Sequence, residues 1–315
     1  MRRLLAVVCA LGALAVGVSP AGAGPSKGLV IKPGTAHLTA SLHVKAPQAP
    51  RPKGSQATIP IVNLGLPLSY GRGPVQQGGT TTYAIFWIPG ATGVSPGYVN
   101  LINRYLQDVG GSSLYGVASQ YYQRVSGQQQ RIVNQSQFGD FFWDTALPYP
   151  SSTLQDSDIQ GEVLRAVQFN GWPAGIGSQF FVFTAKGENS CINGQCSFTT
   201  YCGYHSSFNA GGTDYFYANQ PYAATDPSGC GTPSNPNGDD ADSTINIVSH
   251  EQMEMLTDPK ANAWSDLLGS EIGDKCNFNF GNADGDGANV TLGNGDRYIV
   301  QQEWSNARGR CSLSG

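Results

Sequence analysis

Only six glutamates occur among the 315 residues, and three of them, Glu251, Glu254 and Glu271, fall within a stretch of 21. The stretch opens with Ser249-His250-Glu251-Gln252-Met253-Glu254. On a helix, His250 and Glu254 stand one turn apart on the same face, the spacing that two ligands need to grip one ion. Glu251, rotated about 100° around the axis from His250, could reach a water on that ion. This is the HExxH metalloprotease helix with its second His replaced by a carboxylate. Seventeen residues after Glu254, Glu271 could fold back as a third ligand. Asp274 is its understudy, or a hydrogen-bond acceptor that orients His250.

The short motif alone recurs by chance in roughly a few per cent of chains of this length. It gains weight because Ile245, Ile247, Val248, Met253, Met255 and Leu256 make the surrounding helix apolar. Burying its acids without a partner would cost several kcal/mol. A salt bridge is the plain alternative, but only Lys260, Lys275, Arg297, Arg308 and Arg310 lie beyond residue 186. His205, in Cys202-Gly203-Tyr204-His205, reads equally as a ligand, as a hydrogen-bond donor to a developing oxyanion, or as a satisfied structural histidine. Tyr204 is open in the same way. Asn282-Ala283-Asp284-Gly285-Asp286-Gly287 begins like a calcium loop, but its twelfth position is Gly293 instead of Glu, so the EF-hand pattern fails. An Asp/Gly turn is favoured there over a looser Ca²⁺ site. No GxSxG elbow occurs, and no pair of acids stands out as a glycosidase pair.

These residues need elements to hold them. Thr81–Ile88 (TTYAIFWI) and Gln179–Thr184 (QFFVFT) read as buried strands. Helical spacing marks residues 97–109, with Tyr98, Leu101, Ile102, Tyr105, Leu106 and Val109, and residues 157–169, with Ile159, Val163, Leu164 and Val167. Residues 197–204 and 214–217 read as a paired edge, with His205 ending its first strand, and that edge could hold an extended peptide by β-addition. The motif helix spans residues 242–256 and stops before Pro259. Strands and helices in this order, followed by a loop-rich C-terminal part, predict an α+β fold.

Charge divides the chain. The first 53 residues hold seven of the 18 Lys and Arg and no acid, leaving 11 bases against all 22 acids in the remainder. That acidic body argues against a nucleic-acid partner. Arg2-Arg3, the apolar run 4–18 and Ala21-Gly22-Ala23 read as a secretory signal cleaved after Ala23, too short for a membrane span of about 20 residues. Residues 24–56, with Pro47-Gln48-Ala49-Pro50-Arg51-Pro52-Lys53, read as a basic, Pro-rich disordered linker or pro-segment. Residues 57–315 read as one globular domain, expected as a monomer. Cys9 leaves with the signal. Six cysteines then remain for an oxidising compartment; six allow 15 pairings, and local spacing favours Cys191–Cys196, Cys202–Cys230 and Cys276–Cys311 over a metal cluster.

The strings Phe198–Ser206, Asp239-Asp240-Ala241-Asp242, Ser249–Glu254, Thr257-Asp258-Pro259, Ala263–Asp266, Glu271–Cys276 and Gln302–Asn306 carry a resemblance over roughly residues 80–312. They look like a group of secreted bacterial proteins with an SHExxE…TDP…EIGDKC pattern, distantly similar to the plant EXORDIUM (phosphate-induced) family. The resemblance implies an exported, disulfide-bonded domain with a zincin-like helix; the plant proteins are associated with the cell wall. The first expectation is therefore a secreted zinc peptidase with a zincin-like mixed sheet. In it, His250, Glu254 and Glu271 (or Asp274 or His205) hold Zn²⁺, Glu251 is the general base, and a peptide or protein is the substrate. The alternative is a non-catalytic extracellular or cell-wall-binding module with structural Ca²⁺ or Zn²⁺.

Overall fold

The computed structural model describes the backbone of residues 41–44 and the whole of residues 65–315. The proposed signal peptide and the remainder of residues 24–64 lie outside the described residues. Six strands form the main sheet: β1 (Ser41–Val44), β2 (Thr80–Trp87), β3 (Ser136–Asp144), β4 (Ser178–Thr184), β5 (Tyr201–Ala210) and β6 (Thr213–Gln220). Their order is β1-β5-β6-β4-β2-β3. β3, β2, β4 and β6 run parallel, while β5 is antiparallel to both β6 and β1.

The helices α1 (Tyr98–Asp108), α2 (Asp156–Asn170) and α3 (Ala241–Thr257) divide between the two faces. Ala84, Phe86, Phe181, Phe183, Phe216 and Ala218 pack with α1 and α3. Tyr83, Ile85, Trp87, Phe180, Val182 and Tyr217 pack with α2. Because both faces are covered, the strands need no polar alternation, and their near-continuous apolar runs follow from that.

The expected strands and helices have counterparts here, and the mixture of helix and sheet is as expected, although the strand expected over 197–204 lies at Tyr201–Ala210. Two expectations need correction. His205 lies in mid-strand, because β5 runs on to Ala210 and turns through Gly211-Gly212 into β6. Residues 41–44, read as part of a disordered linker, form a strand of the main sheet. The β-branched and apolar character of Ser-Leu-His-Val is too brief to register by periodicity, and it is the exposed edge of β5 that gives it backbone partners.

All 17 residues of α3 are buried, so it is a central helix whose polar side chains have no route to bulk water. Gly203 lets α3 come close to β5: a Cβ there would lie 2.6 Å from Ile247 Cγ2 and 3.2 Å from Glu251 Oε1. After α3 the chain turns at Pro259 and builds the loop-rich C-terminal part, including β7 (Glu303–Ser305) paired with β8 (Arg310–Ser312). Cys191–Cys196, Cys202–Cys230 and Cys276–Cys311 are bonded as expected. Three disulfides fit an oxidising compartment. Among the described residues, no helix is long and apolar enough to cross a membrane.

The Cys202–Cys230 bond ties β5 to the segment that leads into α3, across 28 residues. Closing a loop of that length restricts the unfolded chain by about 3–4 kcal/mol. The double variant Cys202→Ala/Cys230→Ala should therefore unfold at a lower urea midpoint by about that free energy, as followed by circular dichroism. An unchanged midpoint would show that this bond adds nothing to the fold.

Candidate metal centre

α3 presents His250, Glu251 and Glu254 beneath β5, which presents His205. His250 Nε2 lies 3.0 Å from Glu254 Oε1, one turn along the helix. On the other side of Glu254, its Oε2 lies 3.4 Å from His205 Nδ1. The same His205 nitrogen is 3.2 Å from Glu251 Oε2. Glu254 thus stands between the two imidazoles, with Glu251 beside one of them.

The loop after α3 supplies two more acids. Asp274 Oδ1 lies 3.8 Å from His250 Nε2, and Glu271 Oε1 lies 3.8 Å from His205 Nε2. The loop is held in register by several bonds. The Asp274 backbone N–H donates to Glu254 Oε1 (3.2 Å), and the Glu271 N–H donates to Asp274 Oδ2 (3.1 Å). Gln301 Nε2 donates to the Gly273 carbonyl (2.9 Å), and Trp304 N–H donates to the Ile272 carbonyl (2.9 Å). Cys276–Cys311 fastens the same loop to β8. Gly273 lies flat against the His250 ring, where a Cβ would come within 2.6 Å of Nδ1.

Of the alternatives left open for the loop acids, the geometry places one beside each imidazole. Asp274, the understudy, is the acid brought to His250, and Glu271 is brought to His205. Two groups of three could each hold a cation: His250, Glu254 and Asp274, and His205, Glu251 and Glu254. All six side chains predicted for the site converge. Sequence spacing ranked Glu271 above Asp274 but could not tell which imidazole each would approach.

Charge is the salient property of this cluster. His205, His250, Glu251 and Glu254 are at most 1% exposed, and Glu271 is 2% exposed. Of the five bases beyond residue 186, three pair with acids elsewhere: Lys260 with Asp214, Lys275 with Asp266, and Arg297 with Asp284 and Asp286. That last pairing fits the Asp/Gly turn reading of residues 282–287. Tyr204 turns to the opposite face of the sheet and donates to Asp156 Oδ1 (2.8 Å).

Both nitrogens of His205 face acceptors, since Nε2 also lies 3.4 Å from the Asp258 carbonyl. A neutral imidazole has one N–H, so this setting favours the imidazolium. Burial opposes that charge, but Glu271, Glu251 and Glu254 outweigh it and hold the His205 pKa well above the usual range. Burial likewise opposes charge on His250, and Glu254 prevails, pushing its pKa up to about 10. Glu254 is buried too, yet the two imidazoles hold its carboxyl below the ordinary range. Burial and then the charge of Glu254 raise Asp274 to about 7 and Glu271 well above its usual value. Burial raises Glu251 against the pull of His205 and His250.

Glu303 is the residue that sequence reasoning missed. It is fully buried on β7, and neither carboxylate oxygen accepts a hydrogen bond. Burial, with Glu254, Asp274 and Glu251 nearby, raises its pKa well above normal. Its signals in the sequence were membership of a very small set of glutamates and a place in the resemblance-bearing string Gln302–Asn306. Oε1 of Glu251 and Oε1 of Glu271 are also buried without a hydrogen bond. Comparison with known protein families, characterised proteins and solved structures finds no match to this chain.

Two tests follow from the geometry. In the metal-free protein, the raised groups bind more protons folded than unfolded, so stability should fall as pH rises through about 7 and on toward 10. Glu254 acts in the opposite sense only at the acid end, below the ordinary carboxylate range. The urea midpoint in chelator should thus be higher near about pH 6 than near about pH 8.5, with a rise across that interval contradicting the assignment. Separately, Gly273→Ala should displace the His250 ring and weaken zinc binding by about tenfold or more in a competitive-chelator titration. Unaltered affinity would remove His250 from the ligand set.

Proposed function

We propose that the chain is a secreted, metal-dependent hydrolase, with zinc as its metal and a polypeptide as its substrate. One observation carries this reading: an imidazole and two carboxylates, His250, Glu254 and Asp274, converge in a dry site whose neighbouring acid, Glu251, lies one residue along the same helix. The donor set suits a divalent cation. One nitrogen and hard carboxylate oxygens bind zinc well and also accept other divalent ions. The buried oxygens that lack hydrogen bonds mark a place where positive charge would be stabilising.

His250, Glu254 and Asp274 would hold the ion, and a bound zinc supplies Lewis acidity that polarises a carbonyl. Glu251 is the proton acceptor. Its raised pKa brings it nearer neutrality, where a carboxylate both takes and returns a proton. His205, held by Glu251, Glu254 and the Asp258 carbonyl, positions Glu251. Glu271 orients His205 from its other side. A buried motif helix lying under the antiparallel strand of a mixed sheet is the arrangement expected of a zincin-like fold, and it supports this reading.

The near-complete burial of the site favours a second reading, in which the ion is structural and the domain is an EXORDIUM-like extracellular or cell-wall module. Asp274 is the most exposed of the six, at 18% of its side chain. Metal analysis of purified wild type and Glu251→Gln separates the two. On the hydrolase reading both proteins hold one zinc per chain, and the variant loses about 100-fold or more of peptide-cleaving activity. Calcium in place of zinc, or equal behaviour of the two proteins against peptides, would establish the structural reading instead.

A further inference from the structure

β5 has β6 on one side, and on the other its backbone partner is β1. Ser41 stands opposite His205, Leu42 opposite Tyr204, His43 opposite Gly203 and Val44 opposite Tyr201, with a register shift between His43 and Val44. These are the residues of β5 that lie over the motif helix. Gly203 meets Ile247 and Glu251, and His205 meets Glu251 and Glu254. β1 also approaches α3. With β1 in place, His205 is only 1% exposed.

An edge strand with free amides and carbonyls accepts another strand chiefly through main-chain bonds, which tolerate many sequences. What β1 shows is that this particular edge accepts one, antiparallel and directly opposite His205. Charge favours the same arrangement: the segment around β1 belongs to the 53 residues that carry seven bases and no acid, while the remainder carries 22 acids against 11 bases. A strand tethered in the same chain has an effective concentration of about millimolar, so a free peptide competes poorly while it is seated.

We infer that the outer edge of β5 is a docking edge for one extended polypeptide strand, and that Ser41–Val44 occupies it in cis, so that the chain covers its own peptide-binding edge. The inference rests on the hydrolase reading only for what becomes of a docked peptide. It identifies the substrate's form, a strand antiparallel to β5, and gives the basic segment before the domain a self-blocking role.

The test uses the full chain carrying Leu42→Pro and His43→Pro. Successive amides of a strand point to opposite sides, so one of these two addresses β5 whichever phase the pairing has, and proline removes it. The probe is a fluorescein-labelled peptide of residues 37–46, His-Leu-Thr-Ala-Ser-Leu-His-Val-Lys-Ala, followed by anisotropy. The variant should bind it at least about tenfold more tightly than wild type, and the same peptide with proline at the two positions should not bind. Hydrogen exchange supplies the second readout. Amides within residues 201–205 should exchange faster in the variant and regain protection with peptide, while those of α3 stay protected. Should α3 lose protection, the milder Leu42→Gly/His43→Gly chain replaces the variant, with the same direction expected. Equal peptide binding by variant and wild type, binding by neither, or unchanged protection of residues 201–205 overturns the inference. Binding is read without turnover, so a peptide that docks and is not cut leaves the docking edge standing and counts against the hydrolase.

Discussion

Carboxylates placed in a dry interior must find positive charge or keep their protons. That constraint governs this molecule. Each ion taken out of water costs several kcal/mol, and here Glu251, Glu254, Glu271 and Glu303 are gathered with two imidazoles in the space between α3, β5 and the C-terminal loop. Without a cation the cluster is satisfied in part by protons, which is why His205, Glu271 and Glu303 sit far from their ordinary titration ranges. A divalent ion would take over that role, and proton release would accompany its binding.

The fold keeps such an arrangement from relaxing. Gly203 and Gly273 remove the two side chains that would hold α3 away from β5 and the loop away from His250. The disulfides Cys202–Cys230 and Cys276–Cys311 lie on the strand and on the loop that supply His205 and Asp274. The Gln301 N–H donates to Asn246 Oδ1 (2.7 Å), joining the segment that leads into Glu303 to the helix. Packing on both faces of the sheet leaves α3 little freedom to shift, so the positions of His250 and Glu254 are set by a rigid element instead of a loop.

Much of this was legible in the sequence, and for identifiable reasons. The apolar runs 81–88 and 179–184 announced buried strands, and the one-turn spacing of His250 and Glu254 announced a shared face. Cysteine spacing pointed to the three bonds that form. Which of Glu271 and Asp274 approaches His250 was not legible, because the two lie only three residues apart on one loop. Glu303 was hidden because nothing local distinguishes a buried glutamate on a short strand from an exposed one. Ser41–Val44 was hidden because its pairing depends on the free edge of β5, some 160 residues away along the chain, and a disordered-looking composition says nothing about a distant edge.

X-ray absorption at the zinc edge of the purified, zinc-loaded protein tests the central claim most directly. The account predicts a first shell of nitrogen and oxygen alone at about 2.0–2.2 Å, with the outer-shell signature of a single imidazole that is lost in His250→Ala. Sulfur in the first shell, or a spectrum of hydrated zinc unaffected by that substitution, would contradict it.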